Sequence, residues 1–401
     1  MEDVATPRRR ICVLTGSRAE YGLLRRLMAA LRSAPDFTLQ VLVTGAHLSD
    51  AHGRTCAEIE ADGFSPLTRV DMALAGDDPV SLGEAAGRAV AGVGRALADL
   101  APDLLIVLGD RYEILAAATA ATIARVPIAH LAGGDITEGA FDDAIRHALT
   151  KLSHLHFPTN RPAAERLLQM GEDPRHVHVV GSTAIDAIRE LTLLPRPELE
   201  TELGVRLQRR NLVVTFHPVT LDAAPSMEQL AHLLEALDRS GSHVGIVFTG
   251  ANADPEGLAL NETVRRWVAE HENAHFFSSL GQLRYLSLLS QSDALVGNSS
   301  SGIYDAPALG VPTVNIGMRQ AGRLRSGSVI DCAPDAAAIE AAIRRALDAP
   351  PSAGDTPYGD GRATERILAA LRATADFRAL LHKRFMPRGA VSTPGEEGRS
   401  R

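Results

Sequence analysis

The segment from His130 to His147 carries a dense set of reactive side chains. It places four carboxylates and two imidazoles around a glycine pair, directly after an apolar run that predicts a buried strand. Ligand chemistry in open parallel sheets gathers where strands end, and carboxylates or imidazoles there can exchange protons with a substrate. The candidates for proton transfer are Asp135, Glu138 and Asp142, and His147, one helical turn beyond Asp143, is a candidate for substrate binding.

Two other apolar runs in the first half end in groups suited to an anionic substrate. Residues 11–15 lead to Arg18, whose guanidinium could clamp a phosphate or could pair with a carboxylate at the surface. Residues 104–108 lead to Asp110 and Arg111. Asp110 is placed to act as a base or an orienting group, and the alternative is that it caps the helix predicted after it.

The second half repeats this arrangement. His217 follows the apolar run 212–216 and could contact phosphate or relay a proton, the alternative being a turn histidine fixed by the next proline. Residues 297–302 form a small-residue loop before a helix, and its amides and hydroxyls suit a diphosphate unless it is a plain turn. The candidates here are Ser299, Ser300 and Ser301 of the loop, Asp305 for ribose hydroxyls, and Arg319 and Arg323 as phosphate partners rather than surface charges.

Composition narrows the function classes. The net charge of −8 argues against nonspecific nucleic-acid binding, and no apolar stretch approaches the roughly 20 residues of a membrane span. Three widely spaced cysteines without a CxxC pair argue against a disulfide framework or a thiolate zinc site. The HExxH match from His271 to His275 runs into an apparent strand, whereas a zinc site needs both histidines on one helix face. We expect a cytoplasmic protein that binds no metal, nucleic acid or membrane.

Short apolar runs alternate with helical patterns along the chain, which predicts an α/β fold with parallel sheets covered on both faces. The alternation occurs twice, on either side of a linker at 191–197. We predict a Rossmann-like domain over 1–190, a second over 198–385 whose last helices pack back on the first, and a disordered tail over 386–401. The predicted strands are Ile11–Thr15, Thr38–Thr44, Leu104–Leu108, Pro127–Leu131, Val177–Val180, Leu212–Phe216, Val244–Phe248, His275–Phe277, Ala294–Gly297 and Thr313–Ile316.

Taken together, these motifs resemble the UDP-N-acetylglucosamine 2-epimerases, especially their hydrolysing branch. The resemblance extends from Ile11 to about Leu371, and the blocks AIRH and SHLHF favour the hydrolysing branch. It implies two Rossmann-like domains in a GT-B arrangement, an active site in the cleft between them, a UDP-sugar substrate and no cofactor. It also implies a homo-oligomer, a dimer or a tetramer. The motifs that carry it are GSRAEYG, GDRYE, AGGDITEGAFDDAIRHALTKLSHLHF, HPVT, GNSSSGIYD, GMRQAGR and YGDG.

The resemblance further implies the chemistry. In this family a base removes the proton at C-2 of the sugar while UDP departs from C-1, which leaves a 2-acetamidoglucal. Water then adds and releases the manno-configured free sugar, or UDP adds back and gives the epimerised nucleotide sugar. By position, Asp110 and Asp142 correspond to the catalytic carboxylates and His217 to the active-site histidine. The UDP-binding set corresponds to Arg18, Arg111, Ser299, Ser300, Asp305 and Arg319.

The chain departs from the family pattern at two positions. Asp305 stands where Glu is usual, and Ala132 stands where many relatives have a catalytic Glu. Asp135 or Glu138 could supply the missing carboxylate, or the substrate or the fate of the glucal could differ. We expect a hydrolysing 2-epimerase acting on UDP-N-acetylglucosamine. The alternatives are a non-hydrolysing enzyme that gives UDP-N-acetylmannosamine, the same chemistry on a related UDP-2-acetamido sugar, a glycosyltransferase, and a nucleotide-sugar binder without catalysis.

Overall fold

Two parallel sheets of six strands each form the framework of the molecule. The computed structural model describes residues 8–50, 53–76, 78–136, 142–219, 225–251, 255–349, 354 and 356–387, with 255 and 256 given by their backbone alone. The first sheet contains β1 (Arg9–Thr15), β2 (Phe37–Val43), β3 (Leu67–Arg69), β4 (Leu104–Leu108), β5 (Ile128–Leu131) and β6 (Leu155–Phe157). The second contains β7 (Arg210–Thr215), β8 (Val244–Thr249), β9 (Ala274–Phe277), β10 (Ala294–Gly297), β11 (Thr313–Ile316) and β12 (Val329–Cys332).

The two sheets have the same strand order. The first runs β3-β2-β1-β4-β5-β6 and the second, in the same sense, β9-β8-β7-β10-β11-β12. In each sheet, the second and third strands lie on one side of the first strand, and the fourth, fifth and sixth lie on its other side. The strand order therefore reverses next to the first strand, and a crevice opens there at the carboxyl ends of two central strands. These crevices lie between β1 and β4 and between β7 and β10. The predicted α/β fold with two Rossmann-like sheets is confirmed.

Helices cover both faces of each sheet and bury its apolar side chains. They are α1 (Arg18–Ser33), α2 (Cys56–Ala61), α3 (Pro79–Leu100), α4 (Tyr112–Ala124), α5 (Asp142–Leu152), α6 (Arg161–Gln169), α7 (Thr183–Glu190), α8 (Arg196–Leu203), α9 (Ser226–Asp238), α10 (Pro255–Ala269), α11 (Gly281–Ser290), α12 (Ser301–Ala308), α13 (Ala336–Leu347) and α14 (Ala363–Ala373). No helix in the described part of the chain has the length and apolarity needed to cross a membrane.

The last helix, α14, packs against the first sheet. Its Ile367 and Leu371 lie in the same core cluster as Leu24 of α1. The buried carboxylate of Asp186 in α7 accepts hydrogen bonds from two amides at the start of α14, with lengths of 2.9 and 2.7 Å. This side chain satisfies amides that a helix N-terminus leaves without partners. Of the tail predicted over 386–401, residues 388–401 lie outside the described residues.

The strand predicted at Val177–Val180 was wrong. Val177 forms an isolated bridge to His156, and the sixth strand is Leu155–Phe157. The sequence analysis did not predict the short edge strands β3, β6 and β12, because their polar residues interrupt the apolar pattern. The two histidines of the HExxH match do not share a helix, since α10 ends at Ala269 and His275 lies in β9.

Candidate active site

A cavity of about 280 Å³ lies between the carboxyl edges of the two sheets. Of the residues predicted from the sequence, Asp110, Asp135 and Arg323 line it. Both halves of the chain contribute, so the cavity is an interdomain site. The first half provides Leu23, Gly109, Asp110, Ala132, Asp135, Ile136, Arg146, Asn160 and Arg166, and the second provides Tyr304, Gly322, Arg323, Leu324 and Tyr358.

The guanidinium of Arg146 organises the acidic groups of this site. It forms a salt bridge with Asp110 and a 3.1 Å hydrogen bond with Asp143, and it donates to the backbone carbonyl of Asp135 at 2.9 Å. The side chain of Arg146 is only 8% exposed. A buried charge of this kind is stable only when it is paired and fully hydrogen-bonded. Asp110 thus has an ion-pair partner, and the N-cap of α4 is the next residue, Arg111.

Asp142 opens α5 beside these groups. Burial raises its pKa, and the nearby Asp110 carboxylate adds to the rise. A carboxylate whose pKa is shifted toward neutrality is a better base than an ordinary aspartate. His147 lies 3.5 Å from Asp143 on the same helix. Glu138, the other candidate of this segment, lies outside the described residues.

Asp135 is held by its neighbours at the cavity wall. It accepts hydrogen bonds from Thr159 at 3.2 Å and from Asn160 at 3.1 Å, and burial raises its pKa. Ala132 lies three residues earlier, with a left-handed φ of 61°. Arg166 donates to the carbonyl of Gly134 at 2.6 Å and so fixes the turn between these two residues.

Buried acids support the loop after β1. Glu20 accepts a 2.7 Å hydrogen bond from the amide of Gly16, and Glu113 accepts a 2.5 Å bond from Arg111. Burial and the neighbouring Glu113 raise the pKa of Glu20 to about 8. A side chain at Gly16 would lie 2.7 Å from Glu113, so this loop requires glycine. Arg111 is therefore oriented by a buried carboxylate.

The side chain of His130 is buried and makes a structural contact with the backbone. It is fully buried, and its Nε2 lies 2.7 Å from the carbonyl of Gly109. Burial lowers its pKa to about 4, so the ring is neutral near pH 7 and donates this hydrogen bond. His130 thereby fixes the backbone that precedes Asp110.

Asn298 joins three of the predicted segments in the second half. Its side chain bonds both the amide and the carbonyl of His217, at 2.7 and 2.9 Å. Its own carbonyl accepts from Arg319 at 3.1 Å and from Gln320 at 2.8 Å. Gly297 before it approaches the carbonyl of Thr215 so closely that no side chain would fit. Asn298 was not among the predicted site residues, although it lies inside the predicted loop.

The serine loop leads into α12 and contacts an acidic side chain. Ser301 donates to Asp305 at 2.7 Å and lies 2.6 Å from the hydroxyl of Tyr285. Burial raises the pKa of Asp305 to about 6, against the hydrogen bond from Ser301, which lowers it. Ser300 is the exposed N-cap of α12, and the hydroxyl of Ser299 accepts from the amide of Ser301 at 3.3 Å.

The predicted cationic side chains have different surroundings. Arg18 is exposed and pairs with Glu58 at 3.1 Å. Arg323 lies at the cavity with its guanidinium 5.7 Å from the centre of the Tyr304 ring. Burial and the neighbouring Arg323 lower the pKa of Arg319. Within the described residues, no group of three or more His, Cys, Asp or Glu side chains is arranged to hold a metal ion.

Two Rossmann-like sheets that face each other across a polar cleft define a protein of the GT-B class. The family model for UDP-N-acetylglucosamine 2-epimerase matches residues 29–372, and the chain belongs to that family. A solved structure of UDP-GlcNAc 2-epimerase from Neisseria meningitidis bound to UDP-GlcNAc has the same fold. Its TM-score is 0.77 at 18% identity, covering 91% of this chain and 100% of that one.

Two relatives place the chain more closely within the family. GDP/UDP-N,N'-diacetylbacillosamine 2-epimerase (hydrolyzing) of Campylobacter jejuni is 39% identical over 325 residues, 81% of this chain and 84% of that protein. UDP-N,N'-diacetylbacillosamine 2-epimerase (hydrolyzing) of Legionella pneumophila is 32% identical over 375 residues, 94% of this chain and 98% of that protein. The predicted family, its hydrolysing branch and the GT-B arrangement are confirmed, and the chain is an enzyme of this class.

Proposed function

We propose that the chain is a hydrolysing 2-epimerase that converts a UDP-linked 2-acetamido sugar and water into the manno-configured free sugar and UDP. The observation that carries this proposal is the cluster of Asp110, Asp142 and Asp143 around Arg146 at the interdomain cleft of a chain of this family. Removing the weakly acidic proton at C-2 requires a base held away from bulk water.

Asp142 is the proposed base. It takes the proton from C-2, and the electron pair of the C–H bond forms the double bond between C-1 and C-2. The bond between C-1 and the diphosphate oxygen breaks at the same time, and its electron pair leaves with UDP. The raised pKa of Asp142 supports this role, because it strengthens the carboxylate as a base. Asp110, oriented by Arg146, is the second proposed catalytic carboxylate and contacts the same sugar.

The second half of the chain is proposed to hold UDP. The N-terminus of α12, with Ser299 and Ser300, suits the diphosphate because helix N-termini carry a partial positive charge and serine hydroxyls can donate hydrogen bonds to phosphate oxygens. Asp305 would accept hydrogen bonds from the ribose hydroxyls. The cationic and histidine candidates around the departing phosphate are Arg18, Arg111, His147, His217, Arg319 and Arg323.

Water completes the reaction. Its hydroxyl group adds to C-1 of the glucal. A proton is delivered to C-2 from the face opposite to the one that lost the original proton, which gives the manno configuration. Asp135, a cavity-lining acid with a raised pKa, is a proposed proton donor, and Glu138, three residues later in the sequence, is the alternative. The overall reaction neither oxidises nor reduces the sugar, so we propose that it uses no cofactor.

Two substrates remain as candidates. The sequence motifs predict UDP-N-acetylglucosamine, and the crystal structure of the relative from Neisseria meningitidis contains that compound. UDP-N,N'-diacetylbacillosamine is the second candidate, because both close relatives are named for it. We further propose a cytoplasmic homo-oligomer that binds no nucleic acid, in keeping with the net charge of −8.

The test is a product analysis with each substrate in turn. Purified protein is incubated with UDP-N-acetylglucosamine or UDP-N,N'-diacetylbacillosamine, and the released nucleotide and sugar are separated by anion exchange. We expect UDP and a free manno-configured sugar in equal amounts from one of them. An epimerised UDP-sugar without free UDP would instead assign the chain to the non-hydrolysing reaction, and no product from either compound would contradict the proposal.

A further inference from the structure

The C-terminus of α5 is capped by a lysine from the far end of the described chain. The ammonium of Lys383 donates to the backbone carbonyls of Thr150, Lys151 and Ser153, at 3.1, 3.0 and 2.6 Å. The last carbonyls of a helix have no partner within the helix and carry a partial negative charge. Lys383, more than 200 residues away in sequence, therefore supplies hydrogen-bond donors to the carbonyls at the end of this helix.

The same ammonium is anchored by a buried carboxylate. Glu172, whose side chain is 1% exposed, lies 2.6 Å from Lys383 and 2.6 Å from Lys151, and it accepts a 2.9 Å hydrogen bond from His156. Burial alone would raise the pKa of Glu172, but the hydrogen bonds from these three partners outweigh it and lower the pKa to about 2. Glu172 is thus ionised near pH 7 and fixes Lys383 in place.

The segment around Lys383 is docked at a further point. The amide of Met386 donates to the carbonyl of Gly171 at 2.9 Å, and the Phe385 ring lies 5.2 Å from the ammonium of Lys151. By contrast, Arg384 is exposed to solvent. The chain therefore presents one lysine to the helix end and, next to it, a cation that is exposed to solvent.

We propose that Lys383 is a positioning residue of the active site, which fixes α5 along its axis and so sets the places of Asp142, Asp143 and Arg146. The inference rests on the proposed function, since it is the roles of these residues that make the position of α5 matter. An α-helix transmits a displacement of one end to the other, and α5 spans only the 11 residues from Asp142 to Leu152. A misplacement of about 1 Å at reacting groups can lower a rate about a hundredfold.

The test compares Lys383→Met with Arg384→Met, which removes the same charge from the neighbouring exposed position. For Lys383→Met we expect kcat to fall about tenfold or more while KM and the Kd of UDP change less than about twofold, since Ser299, Ser300 and Asp305 of the proposed UDP site lie in the other half. Arg384→Met is expected to retain the wild-type kcat. Hydrogen–deuterium exchange is measured on the same proteins, and the amides of residues 143–149 should exchange faster in Lys383→Met alone.

Each outcome decides the inference. Unchanged kcat and unchanged exchange in Lys383→Met would overturn it, as would a loss of kcat matched by an equal loss of UDP binding. If the wild-type protein turns over no UDP-sugar, the proposed function fails, while exchange in α5 still reports whether Lys383 holds the helix. If Lys383→Met does not fold, Lys383→Gln retains a donor without the charge. We expect it to show the same changes at smaller amplitude, and wild-type kcat and exchange in that protein would overturn the inference.

Discussion

Arg146 of α5 and Asp110, just after the end of β4, form a salt bridge at the carboxyl edge of the first sheet, where both line the interdomain cavity. The same guanidinium holds Asp143 and the carbonyl of Asp135, so one cation connects the helix, the strand end and the loop that carry the candidate acids. These contacts need a planar group with several donors. The geometry of the acidic cluster therefore depends on arginine at position 146.

Replacing Arg146 by lysine is expected to lower kcat about a hundredfold, because an ammonium keeps the charge but cannot make these bonds in the fork geometry of a guanidinium. The measurement is steady-state kinetics with the substrate identified by product analysis. Arg161→Lys is the matched control, since Arg161 is 87% exposed on α6. Wild-type kcat in Arg146→Lys would show that the cluster does not need this residue.

Asp142→Asn should lower kcat by at least about a hundredfold and leave UDP binding intact, because the amide cannot accept the C-2 proton. In the wild type, the base must be ionised. Since burial and Asp110 raise the pKa of Asp142, kcat should fall as pH decreases through that raised pKa. Kinetics over a pH series and calorimetric titration with UDP test both statements, and full activity of the variant would remove Asp142 from the mechanism.

Asp135→Asn tests whether Asp135 replaces the carboxylate that Ala132 lacks. If it does, kcat should fall about as far as in Asp142→Asn, at least a hundredfold or so. The amide can still bond Thr159 and Asn160, so the variant should retain the thermal stability of the wild type. A large loss of kcat with unchanged Tm supports a catalytic role for Asp135, whereas an active variant would make Glu138 the candidate instead.

Binding of the nucleotide should depend on pH through Asp305. Burial raises the pKa of this group to about 6, so it is ionised at pH 7.5 and largely protonated at pH 5. Only the carboxylate is a strong acceptor for ribose hydroxyls. We expect Asp305→Asn to weaken UDP-sugar binding about tenfold at pH 7.5, with the difference from the wild type vanishing toward pH 5. A difference that is constant over this range would contradict the assignment.

The sequence predicted the architecture because each long strand contains an apolar run and is followed by a polar loop. It predicted β10 and β11 with the bounds that the structure has, Ala294–Gly297 and Thr313–Ile316. It misplaced the sixth strand because Leu155–Phe157 contains a histidine, whose side chain is buried only through its bond to Glu172. That partner lies elsewhere in the chain, so no local pattern reveals it.

The sequence also located the candidate loops, but not the contacts within them. Arg146 was visible one helical turn from Asp142, yet its pairing with Asp110 joins residues 36 positions apart. Asn298 and Lys383 act through backbone groups, which leave no signature of residue type in the partner segments. Arg18 was predicted to bind phosphate, and in the structure it pairs with Glu58 at the surface. Its role in binding UDP stays a prediction.

In the proposed reaction the C-2 proton of the sugar is removed as UDP leaves, and a new proton reaches C-2 when water adds to the glucal. Proton NMR of the reaction in deuterated water tests it most directly, with UDP-N-acetylglucosamine and UDP-N,N'-diacetylbacillosamine each supplied as substrate. We expect a free manno-configured sugar that carries deuterium at C-2, together with one equivalent of UDP. A released sugar that retains its original proton at C-2 would contradict elimination through the glucal, and with it the roles assigned to Asp110 and Asp142.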